Sequence, residues 1–161
     1  MKTDNFPHYS GMRFVPDNVY VIETSAARLT CGDGIRSVEF ICIKGNNLLF
    51  VEAKTTVADP DRSPKSYRAE IDVICEKFIH SLNPLSAVKV GVVTETLPAD
   101  FDYGGKVSLT FVLVVRNHDR KWCRPIKRAI EQSLPLYITK IWRPIVLVLN
   151  KDVAQEHQLV G

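Results

Sequence analysis

A chain of 161 residues with 45% hydrophobic and 24% charged side chains is long and apolar enough to bury one core, so a single domain over residues 1–161 is expected. No apolar run approaches the ~18 residues that cross a bilayer, and the start MKTDNFPHYS lacks the apolar stretch of a signal peptide, which points to a soluble cytoplasmic protein with no membrane partner. Four scattered cysteines, Cys31, Cys42, Cys75 and Cys123, form no CxxC pair and spell neither a zinc knuckle nor a redox motif; Cys42 and Cys75 lie in apolar patterns, as small core residues do.

Met1 to Asn18, with Pro7, Gly11 and Pro16 and no sustained period, reads as an irregular lead-in. Val19 to Ile22 favours a strand by β-branching, whereas ETSAARL suits a short helical turn, and the two readings stay open. Cys31-Gly32-Asp33-Gly34 is a turn cluster that delivers the chain into the most informative stretch, SVEFICIKGNNLLFVEAKTT from Ser37 to Thr56. Its two apolar runs flank Gly45-Asn46, a pair suited to a two-residue hairpin turn. Counting outward from that turn pairs Ile43 with Leu48, Ile41 with Phe50, and Glu39 with Glu52. Glu39, Glu52 and Lys54 then share one face of the ribbon, with two carboxylates opposed at roughly 4.5–5.5 Å between Cβ atoms. Opposed like charges call for compensation, and Mg²⁺ or Mn²⁺, which accept carboxylate and phosphate oxygens, supply it where one lysine cannot.

Thr55 to Pro64 is polar and broken by prolines, a loop leaving beside those charges, with Thr55, Thr56 and Arg62 chemically suited to phosphate. Tyr67, Ile71, Ile74, Cys75, Phe78, Ile79 and Leu82 recur at helical spacing from Ser66 onward, and Pro84 is expected to end or kink that helix. Glu70, Glu76, Lys77 and His80 read as its wet face, although the first three are within reach of the charged end of the hairpin. Leu85 to Thr94 stays open between helix and strand. Leu97 to Gly105 reads as a loop and Lys106 to Arg116 as a strand buried on both faces. Asn117-His118-Asp119 offers helix-capping chemistry, with a solvated His118, before a basic helix carrying Trp122, Ile126, Ala129, Ile130 and Leu134, and Pro125 is placed to kink its start. Pro144 to Asn150 reads as a buried strand and Lys151 to Val160 as a short helix. Between Lys106 and Arg143 nine basic residues stand against Asp119 and Glu131, a distribution able to follow a phosphate backbone.

An acid on one strand, a hairpin, and Glu-x-Lys on the next strand resemble the PD-(D/E)xK nuclease superfamily, over roughly the first two-thirds of the chain. The resemblance implies a restriction-endonuclease-like fold, a mixed β-sheet core flanked by helices. It assigns Glu39 as first acid, Glu52 as second acid and Lys54 as the lysine, with Glu39, Glu52 and the carbonyl of Ala53 holding Mg²⁺ or Mn²⁺. It implies a metal-dependent nuclease hydrolysing phosphodiester bonds, with DNA the expected partner. Asp33 is an alternative first acid, and Glu23 the nearest candidate for a further acid from an N-terminal helix. The family's first acid is usually Asp, and the Glu at position 39 favours the alternative, a nuclease-like module without catalysis that binds nucleic acid or a protein. No phosphate-cradling glycine loop, His-rich cluster or GxSxG elbow offers a third chemistry.

Overall fold

The computed structural model describes residues 7–161. Six strands and four helices follow in the order β1 (His8–Tyr9), β2 (Met12–Arg13), α1 (Ala26–Thr30), β3 (Phe40–Lys44), β4 (Asn47–Lys54), α2 (Pro64–Lys89), β5 (Ser108–Val115), α3 (Arg120–Ser133), β6 (Ile145–Asn150) and α4 (Lys151–Glu156). Four of the strands form a mixed sheet in the order β3-β4-β5-β6, with β3 antiparallel to β4 and the other neighbours parallel. The expected mixed sheet flanked by helices is therefore observed at the level of an α/β class.

The hairpin register follows from the turn. Gly45 takes φ 61°, the positive first-position angle of a type II′ turn, and Ile43 pairs with Leu48 and Ile41 with Phe50 as counted from the sequence. The ladder closes one residue short of the expected Glu39–Glu52 pair. Phe40 is the register partner of Val51, yet the Glu39 amide also donates to the Val51 carbonyl at 3.1 Å, so two residues converge on one as in a bulge.

Alternation then sorts the sheet's residues into two cores. Leu48, Phe50, Phe111, Leu113 and Val148 face α2 and α3, while Phe40, Leu49, Val51, Val112 and Leu149 face the β1–β2 hairpin and α4. Phe111 anchors the larger core, lying parallel to Phe78 of α2 at 4.7 Å between ring centroids and edge-on to Phe50 at 5.7 Å.

Several expectations give way to tertiary structure. Met1–Phe6 lie outside the described residues, but the rest of the expected irregular lead-in contains the β1–β2 hairpin, turned by Ser10 (φ 49°) and Gly11 (φ 72°) in the type I′ manner. Only Tyr20 of the Val19–Ile22 candidate pairs, through a two-bond bridge to Ile41, and the helical alternative forms as α1. Pro84 does not end α2, which continues to Lys89 with Pro84 buried, because Leu82, Leu85 and Val88 extend the helix's apolar stripe past it. Leu85 to Lys89 is thus helical. Strand β5 is shorter than expected at both ends, and α4 stops at Glu156 because Leu159 and Val160 turn back into the smaller core.

Because Phe78 is fully buried between helix and sheet, Phe78→Ala is expected to lower unfolding free energy by about 3–5 kcal/mol, measured as a shift of the urea midpoint at unchanged slope.

Candidate active site

Glu52 is the sixth residue of β4 and follows Leu48 and Phe50 on the face toward α2, a position normally apolar. It is 2% exposed. A buried carboxylate needs a counter-charge, and α2 provides one: Lys77 Nζ stands 2.6 Å from Glu52 Oε1. Its other oxygen, Oε2, is buried without a hydrogen-bond partner. Burial pushes the Glu52 carboxyl above the usual carboxylate range, while the Lys77 ammonium pulls it back.

Lys54 ends β4 two residues later on the same face and pairs with Glu70 of α2 at 3.1 Å. Glu70, Ile74 and Lys77 recur at i, i+4 and i+7, so one stripe of α2 lies along the charged end of β4. Glu39 completes the group from the end of β3. Burial, then the Glu52 charge, raise its carboxyl to about 7, with Lys77 opposing and Glu23 adding to the rise. Glu23 itself is exposed, in a 3₁₀ turn over Ile22–Thr24.

These residues line a cleft of about 470 Å³ whose other walls are Ser10, Ala53, Thr55, Thr56 and Val73. The Ser10 hydroxyl donates to the Ala53 carbonyl at 3.1 Å, which ties the β1–β2 turn to the motif strand. Gly11 suits the turn by its positive φ, and the guanidinium of Arg116, just past β5, lies against it.

The structure thus brings Glu39, Glu52, Ala53 and Lys54 to one cleft. Asp33, the alternative first acid, sits exposed in a 3₁₀ turn at Gly32–Gly34 and does not line it. Lys77 and Glu70 are ion-paired site residues rather than a solvated face, whereas Glu76 pairs outside the cleft with Arg36 at 3.2 Å. Neither histidine expected to be solvated is free: His80 Nδ1 accepts from the Arg36 amide and His118 Nε2 from the Val57 amide, both at 3.1 Å. Ser10 was missed, although its Ser-Gly dipeptide is a turn signal.

Among the described residues, no group of three or more His, Cys, Asp and Glu side chains stands in metal-ligand geometry. No helix among them is long and apolar enough to cross a membrane. Comparisons with protein-family models, curated proteins and solved structures find no match to this chain.

Two outcomes follow from the electrostatics. Lys77→Met is expected to cost about 3–5 kcal/mol at pH 8, because it strands a buried charge, and less at pH 5, where Glu52 is more readily protonated; paired urea melts at the two pH values check it. For Glu39, the folded state keeps a proton between about pH 4.5 and 7 that the unfolded chain has released, so its contribution is full at lower pH and is lost as pH rises through 7. Glu39→Gln should therefore flatten that part of the stability profile, and an unchanged decline in the variant would assign it to another group.

Proposed function

We propose that this protein is a metal-dependent nuclease of the PD-(D/E)xK kind, with a restriction-endonuclease-like core, hydrolysing phosphodiester bonds of DNA. The observation that carries the reading is the convergence of Glu39, Glu52 and Lys54 in one cleft at the end of the hairpin. The succession of hairpin, helix, strand, helix and strand around a mixed sheet supports it at the level of topology. So does the position of the cleft, outside the carboxyl end of β4, where open α/β sheets bind ligands.

The donors present suit a hard cation. Glu52 Oε2 is buried and lacks a partner, Glu39 lines the same cleft and feels the Glu52 charge, and the Ala53 carbonyl keeps a second lone pair beside its bond from Ser10. Mg²⁺ or Mn²⁺ held by these three groups would polarise a phosphate oxygen and lower the pKa of a bound water. Lys54, at the cleft wall and about a quarter exposed, is placed to orient that water and to offset charge developing on the phosphate. Lys77 neutralises Glu52 from the helix side, so the site carries its own counter-charge before any cation arrives. The hydroxyls of Thr55 and Thr56 stand at the mouth, suited to phosphate oxygens. Beyond it, Lys121, Arg124 and Arg128 form one basic stripe along α3.

The test is cleavage of labelled DNA oligonucleotides, single- and double-stranded, with Mg²⁺ and Mn²⁺. Lys54→Ala and Glu52→Gln should each reduce the rate by at least about 10²-fold, and full activity in either variant removes the assignment. One observation favours the second reading, a non-catalytic nucleic-acid module: the Lys77 ammonium already neutralises Glu52, so that carboxylate is compensated without a cation. In that case no metal supports cleavage, while binding falls steeply with salt and survives Glu52→Gln.

A further inference from the structure

Beside the cleft lies a second cavity. It has a volume of about 250 Å³ and is bounded by the loop Val57–Pro60 on one side and the start of α3 on the other. Two aromatic side chains line it, Tyr67 from α2 and Trp122 from α3, both half-buried against the main core. His118 closes its base. Because His118 Nε2 accepts the Val57 amide, the neutral ring carries its proton on Nδ1, and that Nδ1 is buried with no hydrogen-bond partner. Asn117 and Asp119 add acceptors at the rim.

Cavity and cleft are neighbours by construction. Thr56 lines one and Val57 the other; Tyr67 lines one and Glu70, a single helical turn on, the other. The Asn117 amide donates to the Thr55 carbonyl at 3.0 Å, which fixes the start of α3 against the exit of the motif strand.

An aromatic-walled cavity below the ~300 Å³ of ordinary small-molecule sites suits one flat ring rather than a chain. Tyr67 and Trp122 offer aromatic surface for stacking, and the Asp119 carboxylate and Asn117 amide at the rim offer an acceptor and a donor to a ring edge. We propose that this cavity takes one unstacked nucleobase of the strand whose phosphate lies in the Glu39–Glu52–Lys54 cleft. The inference rests on the nuclease reading for its substrate class and adds to it that the strand enters single-stranded, or with a base extruded, since a base stacked within a duplex cannot enter a cavity that takes one ring.

The experiment uses metal-free full-length protein carrying Trp142→Phe, so that Trp122 is the one tryptophan. A single-stranded DNA hexamer should quench its emission saturably, whereas a hexamer with abasic residues and a blunt duplex should bind at least tenfold more weakly. Tyr67→Leu and Trp122→Leu, read by anisotropy of the labelled hexamer and accepted only if their thermal unfolding stays cooperative, should each weaken binding about tenfold. Equal affinity for the abasic strand, or no loss in both variants, overturns the proposal. Cleavage is read separately with Mg²⁺ and Mn²⁺, so base-dependent quenching without cleavage under either metal would sink the nuclease reading while leaving this one standing.

Discussion

A charge buried in a sheet constrains everything packed against it. Glu52 stands where the alternation of β4 calls for an apolar side chain, and an uncompensated carboxylate there would cost about 3–5 kcal/mol, a large share of a typical domain's stability. The 2.6 Å contact from Lys77 meets that demand, with α2 seated on the sheet by its apolar stripe so that Lys77 turns inward. From that placement follow the Lys54–Glu70 pair one strand step away, the stacking of Phe78 on Phe111, and the position of Tyr67 at the rim of the second cavity. Replacing the pair by hydrophobic residues would serve stability at least as well. Its place in a cleft lined by Glu39 and Lys54 is one ground for the chemical task proposed there.

The hairpin was legible because two local signals agree: period-two alternation and a Gly-Asn turn both specify one register, and a one-residue slip would have exchanged the faces. The same reasoning placed Glu39, Glu52 and Lys54 together. It did not foresee that Glu39 lies just outside the ladder, since a bulge depends on how the incoming chain is held, here by the bridge of Tyr20 to Ile41. Lys77 was visible only as one of several charges on α2. Which of them turns inward depends on the helix's rotation over the sheet, and periodicity within one element carries no information about that. Pro84 misled for a related reason: the loss of one backbone hydrogen bond in α2 is outweighed by the burial of Leu85 and Val88 beyond it.

Cleft and cavity are both built from the places where parallel strands stop. β4 ends at Lys54 and β5 at Val115, side by side in register, and backbone bonds from Arg116 to Lys54 and from Asn117 to Thr55 carry the pairing past both ends. The loop after β4 supplies Thr55, Thr56 and Val57, and the turn after β5 supplies Asn117, His118 and Asp119. Val57 is buried and its amide is held by His118, so the two exits are clamped to each other instead of moving independently. A rigid scaffold with functional groups on its connecting segments is the arrangement that lets one sheet present two kinds of recognition at once.

The β1–β2 hairpin, whose turn reaches the edge of the cleft through Ser10, is itself held by distant residues. Phe14 bridges Val160, the Val15 amide donates to the Leu159 carbonyl at 3.0 Å, and the Gly161 amide to the Arg13 carbonyl at 2.9 Å. These contacts join residues far apart along the chain, so closing them costs more loop entropy than the Gly45 turn or α2. The bond from Ser10 to Ala53 at the cleft thus depends on a hairpin whose place is held by the opposite end of the described chain.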